Sequence, residues 1–126
     1  MKLDEMAYSI LRIVAGAMFL CHGLQKLFGA FGADPVRLGS QMGVGAVIEL
    51  AAGALIAFGL FARPAAFVAS GQMAVAYFQF HVEWTGWKWL PIVNGGEDTV
   101  LYCFVFLFIA ARGAGGWSLD RAVRAQ

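Results

Sequence analysis

A chain of 126 residues in which 60% are hydrophobic and 13% charged is too short to hide that much apolar surface in a water-soluble fold, since average soluble domains are about 45–50% apolar and about 25% charged. The composition points to an integral membrane protein, organised as one domain over residues 1–126. A formal net charge of +1, with nine Lys and Arg scattered along the sequence, gives no reason to expect nucleic-acid binding, which needs clustered basic residues.

Crossing a hydrocarbon core of about 30 Å takes about 20 helical residues. Four stretches have suitable length and apolarity: residues 5–29, 40–61, 64–83 and 96–112. In lipid every backbone polar group needs an internal partner, so the spans are expected to be helices, and short links make the fold class an all-α, up-down four-helix membrane bundle. The first stretch is expected to stay as a span and not to be a secretory leader, because it carries Arg12, follows Asp4 and Glu5, and lacks a small-residue cleavage site. Lys2, Arg63, Arg112, Arg121 and Arg124 fall on one side of the spans and Lys26, Arg37 and Lys88 on the other, which predicts cytoplasmic N and C termini. Trp84, Trp87 and Trp89 on the outer side and Trp117 on the inner fit interfacial belts.

The first span carries a polar stripe. At about 100° per residue, Glu5, Tyr8, Arg12, Phe19, His22, Gln25 and Lys26 share one side of the wheel, which must face protein rather than lipid. Arg12 lies about 15 Å below His22 by helical rise. Lys26 reads equally as an interfacial anchor and as a site residue. In the second span Ser40 is a candidate N-cap. Further along, Gly45 and Gly53 flank Glu49 on one face, so a neighbouring helix is expected to approach closely there with the acid pointing into the contact. The cationic partners in view for Glu49 are Arg12, about two turns inward, and His22, a similar step outward. Glu49 is thus a candidate for a structural ion pair or for proton handling.

The third span starts at Pro64 and sets Gln72, Gln79 and Glu83 on one face, with His81 near its outer end. Gln72, like Arg12, is expected to serve packing by hydrogen-bonding across the helices. His22 and His81 differ in depth by roughly 8–10 Å, which argues against a bis-histidine haem. Cys21 and Cys103 lack C-x-x-C spacing, so neither a thiol pair nor a metal site is expected. Asn94 with Glu97 three residues later is a capping-box pattern opening the fourth span, and Glu97 and Asp98 suit the helix dipole. The same turn enters on the side of His22, Gln25, Lys26, Gln79 and His81. Together these residues predict a polar pocket open outward and roofed by the aromatic loop.

Several segments carry a family likeness: His22-Gly23-x-Gln25-Lys26-Leu27-Phe28-Gly29, Glu49-x3-Gly53 followed by Gly59-Leu60-Phe61-x-Arg63, Asn94-Gly95-Gly96-Glu97, and Gly113-Ala114-Gly115-Gly116-Trp117-Ser118-Leu119-Asp120. In order and placement they resemble the DoxX family of small bacterial membrane proteins, over nearly the whole chain. The resemblance implies a four-helix protein of the bacterial cytoplasmic membrane, crossing it several times. Members are often labelled quinol-oxidising subunits or parts of membrane oxidoreductase complexes. It carries His22, Gln25, Lys26, Glu49, Asn94 and Glu97 over as matched positions; Gln79 and His81 are added on geometry.

Three functions fit. In the first, the chain is a quinone-interacting subunit: His22, Gln25, Lys26, Gln79, His81 and Asn94 bind the ligand, and Glu49 or Glu97 accepts protons. The chain contains no dinucleotide fingerprint, haem pair or cysteine cluster, so no covalently held cofactor is implied, only bound quinone, and electrons need a partner subunit. In the second, the chain is a non-catalytic anchor or assembly subunit, again with a protein partner or a second copy beside the lipid bilayer. In the third it transports a proton or small solute, though no inverted repeat is evident.

Overall fold

The computed structural model describes residues 1–32, 34–35, 37 and 39–124. Among them the chain is all-helical, with no strand. Helix α1 runs Leu3–Phe28, with Asp4 and Glu5 in its first turn and Lys26 in its last, each charge complementing the helix dipole. It stops where Gly29 turns left-handed (φ 68°) and donates its N–H back to the Gln25 carbonyl. After a 3-10 turn at Ala30–Gly32, α2 covers Gln41–Phe58 with Ser40 as its N-cap, the hydroxyl accepting from Gly43 N–H at 3.0 Å. The left-handed Gly59 ends α2 three residues short of the sequence expectation.

Helix α3, Ala62–Ala76, starts two residues ahead of Pro64. A proline is harmless there, because first-turn N–H groups have no helical acceptor to lose. From Tyr77 to Glu83 the helix continues in wider π-helical turns. The loop that follows holds one further turn, α4 (Pro91–Asn94), and α5 spans Glu97–Arg112. A short α6, Leu119–Arg124, follows. Neither α4 nor α6 was anticipated by apolar periodicity, since both are brief and polar-flanked.

Two of the helices, α1 and α2, are long and apolar enough to cross a membrane. They pack antiparallel with backbones in contact. A Cβ on Gly16 would lie 2.5 Å from Ala57 N, one on Gly23 2.6 Å from Leu50 N, and one on Gly53 2.5 Å from Leu20 N. Only glycine permits that approach. The expected contact face around Glu49 is divided between two neighbours, because Gly45 meets the Gln72 amide of α3 while Gly53 meets α1. The register set by these glycines also places Glu49 level with the Gly23 turn of α1, not midway between Arg12 and His22.

Helix α3 lies along α5, with the first turn of α3 beside the last turn of α5. Ala65, Ala66, Ala69 and Met73 pack in a common core with Phe106 and Ile109, joined by Phe19 from α1 and Ala52 and Ile56 from α2. Phe19 sits 4.8 Å from the Phe106 ring and 5.9 Å from Tyr102. Large apolar side chains stay exposed along every long helix, among them Ile10 and Val14, Val44 and Val47, Phe67 and Val75, Phe104 and Leu107. Such surface is unfavourable in water and suits a lipid environment.

One end of the assembly, where α1 begins and α5 finishes, is closed by residues 113–120. Arg12 is 0% exposed, and its guanidinium donates to the carbonyls of Ile56 (3.0 Å), Ala114, Gly116 (3.0 Å) and Trp117 (2.7 Å). Tyr8 donates to Gly113 O at 2.5 Å and Ser9 to Gly116 O at 3.0 Å. Asp120 completes the closure by accepting the N–H groups of Phe61 (2.8 Å) and Ala62 (3.0 Å) at the start of α3. Arg12 is therefore a packing residue, as its sequence context indicates. It is not the partner of Glu49.

Candidate functional site

At the opposite, open end lies a cavity of about 480 Å³, within the size range of small-molecule sites. Four helical segments contribute to it. From α1 come Phe19, His22 and Lys26, and from α2 come Gln41, Met42, Gly45 and Glu49. The α3 segment adds Gln72, Met73 and Ala76, then Gln79, Phe80 and His81 from the π-helical turns, and α5 adds Asp98, Thr99 and Tyr102. Wider winding is what lets three consecutive residues, Gln79 to His81, all reach the lining; interrupted helices of this kind recur at functional sites.

Glu49 lies at the inner wall, 2% exposed. Its Oε1 takes Lys26 Nζ at 2.8 Å and the Gln72 amide at 3.4 Å, and the same amide also donates to Gly45 O at 3.1 Å. The cation paired with Glu49 is thus Lys26, correcting the expectation of Arg12 or His22. The glycine register brings the last turn of α1 alongside Glu49, and the long lysine stem covers the remaining distance. Among the described residues this is the one salt bridge, and Lys26 keeps its side chain 30% exposed.

The pairing is incomplete. Glu49 Oε2, Gln72 Oε1 and the Tyr102 hydroxyl are buried without a hydrogen-bond partner, and all three residues line the cavity. Unpaired buried polar atoms are rare in native proteins because each costs about 1–3 kcal/mol. Here three of them share one hollow. Tyr102 was missed in the sequence because it lies inside an apolar helical run, where an aromatic reads as core. Its ring does stack on Phe106, with centroids 5.6 Å apart.

Other predicted residues divide. His22 stands at the cavity mouth, edge-on to the Tyr102 ring at 6.2 Å. Gln79 bonds to the Gln41 amide across α2 and α3. His81 faces Thr99 Oγ1 through Nε2 at 3.1 Å and Asn94 O through Nδ1 at 3.4 Å. Gln25 is not among the lining residues, and its carbonyl serves the Gly29 cap.

Asn94 and Glu97 also lie outside the lining. Asn94 is buried and fastens the loop: its amide donates to Tyr77 Oη (3.1 Å) and Lys88 O (3.0 Å), and its Oδ1 accepts from Gly96 N–H at 2.8 Å. The N-cap of α5 is Gly96, so the capping-box expectation is corrected to an Asx-type bond two residues on. Glu97 is exposed at the start of α5, and the acid that reaches the cavity is its neighbour Asp98. A one-residue step turns a helical side chain by about 100°, enough to exchange solvent for the site. Among the described residues no group of His, Cys, Asp and Glu is arranged to hold a metal ion.

Comparison with known proteins adds two findings. The DoxX family model matches residues 7–82, which takes in most of α1, all of α2 and α3, and most of the π-helical extension. An uncharacterized protein of Haemophilus influenzae is 42% identical, the match covering 89% of this chain and 87% of that one. No solved structure matches.

Proposed function

Since the chain belongs to the DoxX family and is a membrane protein by its apolar helices, we propose that it crosses the bacterial cytoplasmic membrane four times as a single bundle domain, termini inside, and binds quinol in the open-end cavity as a subunit of an oxidoreductase complex. Exposed apolar side chains on α3 and α5, like those on α1 and α2, support four spans. Arg63, Arg112, Arg121 and Arg124 at the closed end support its placement inside.

The observation that carries the ligand is the trio of unpartnered atoms. Glu49 Oε2 and Gln72 Oε1 are acceptors, suited to hydroxyl donors, and the Tyr102 hydroxyl can serve either oxygen of a quinone couple. Phe19, Met42, Met73 and Phe80 provide apolar walls for a ring. Oxidising quinol releases two protons and two electrons. Glu49 is placed to take one proton from a ligand hydroxyl, the second leaves through the open mouth of the cavity to water, and the two electrons pass to a redox centre on a partner subunit.

Chain purified in mild detergent is expected to carry extractable quinone near one per chain, and Glu49→Gln to lower that content about tenfold with its melting temperature held. Wild type lacking quinone, and not stabilised by added quinol, would sink the reading. It would favour instead an anchoring subunit, a role supported by the way Arg12 and Asn94 engage only the chain's own groups.

A further inference from the structure

A second hollow, about 460 Å³, lies at the closed end and is lined by Arg63, Arg112, Arg121 and Arg124 with Ala114 and Gly115. Four of its six lining residues are arginines, and none of them is in a salt bridge among the described residues. We propose that this cleft binds the phosphate group of an anionic phospholipid.

The argument starts from where the neighbouring acceptors are engaged. Residues 113–117 pass the cleft, and every one of their carbonyls is taken: Gly113 O by Tyr8, Ala114 O by Arg12, Gly115 O by Ser118, Gly116 O by Arg12 and Ser9, and Trp117 O by Arg12. Asp120, the acid on α6 itself, has both oxygens on the N–H groups of Phe61 and Ala62. Asp4 and Glu5 share this end but do not line the cleft. Among the described residues the chain therefore gathers four guanidinium groups with no acid lining the cleft, and the carbonyls of 113–117 are engaged by other groups.

Two of the four are already held in place. Arg63 donates to the carbonyls of Ala111 (2.5 Å) and Arg112 (3.1 Å) at the end of α5, and the Arg112 guanidinium lies 4.2 Å above the Tyr8 ring. Arg121 and Arg124 stand three apart on one face of α6, a helix with no buried residue. Guanidinium forks match phosphate oxygens in geometry and charge better than any other side chain. The ends of membrane-embedded helices are where lipid phosphates lie, and basic pockets at that level select anionic headgroups. Exposed apolar residues at the same end of the helices, Phe61 and Phe108, can meet acyl chain.

The test uses the full chain in detergent, offered equal amounts of phosphatidylglycerol and phosphatidylcholine of one chain length, and reads retained lipid by native mass spectrometry. One phosphatidylglycerol is expected to remain on wild type, and R121Q/R124Q to lower its occupancy roughly tenfold or more. R37Q/K88Q removes the same charge at the other end and is expected to retain it. Arg124→Gln alone should give a partial loss. Equal retention of the two lipids by wild type, or equal loss in both double variants, overturns the proposal. Inorganic phosphate is the remaining arm: arginine-dependent retention of free phosphate without phosphatidylglycerol overturns the lipid assignment, whereas lipid retention undisturbed by equimolar phosphate supports it.

Discussion

The closed and open ends of the helix assembly each contain one deeply buried charge, and they satisfy it to different degrees. At the closed end Arg12 meets the carbonyls of Ile56, Ala114, Gly116 and Trp117. At the open end Glu49 has one oxygen shared by Lys26 and Gln72 and the other without a partner. The same glycine-lined contact between α1 and α2 supports both, so the difference does not arise from packing quality. It arises from what is laid over each end: a folded-back segment in one case, a hollow in the other. Completed networks specify a structure, and unsatisfied buried atoms are the exception in folded proteins.

That contrast predicts unequal responses to substitution. Arg12→Ala should be the most damaging change, costing about 3–5 kcal/mol because it strands several buried carbonyls at once. Unfolding in detergent, followed by helical circular dichroism, would read it, and a wild-type-like melt would remove the closed end's structural role. Asp120→Ala takes the cap from Phe61 and Ala62 and should cost about 1–2 kcal/mol by the same measurement. Proteolysis of the segment after Gly113 should accelerate alongside.

At the open end the stability effects should be smaller. Glu49→Gln keeps an acceptor for Lys26, itself partly exposed, and is expected to cost about 1 kcal/mol or less while quinone content falls. If it destabilises as much as Arg12→Ala, the carboxylate is structural and the contrast fails. Tyr102→Phe removes a buried hydroxyl that has no partner, so stability should stay within about 0.5 kcal/mol of wild type or rise slightly. A distinct loss of stability would mean that the hydroxyl is satisfied within the protein, leaving only two reserved atoms.

Much of this was legible in the residues. The polar stripe of α1, the N-cap at Ser40, the close-approach glycine at Gly53 and the gathering of His22, Lys26, Gln79 and His81 near one hollow all follow from spacing. The partner of Glu49 did not, because pairing between antiparallel helices depends on a register that neither helix encodes alone. A one-residue step separated Glu97 from Asp98, and a helical wheel cannot resolve that at a helix's first turn. The π-helical turns at Tyr77–Glu83 have no apolar period of their own. Most hidden of all was the acceptor set for Arg12, since carbonyls belong to every residue and leave no mark in the side-chain pattern. Glycines at 113, 115 and 116 were a hint that backbone approaches closely there; Gly113 and Gly115 take positive φ, at 93° and 72°.

The folded-back segment also imposes an order on biogenesis. Arg12 lies in α1, yet two of its acceptors, Ala114 and Trp117, are 102 and 105 residues further along the chain. Until the ribosome has delivered them, the newly inserted α1–α2 hairpin holds a guanidinium with Ile56 O as its one acceptor from within the pair. A half-made or truncated chain would thus hold an under-compensated charge in lipid, which is costly. Residues 113–117 supply the remaining acceptors, so the Arg12 guanidinium is fully paired only once they have folded back over the end of the α1–α2 hairpin.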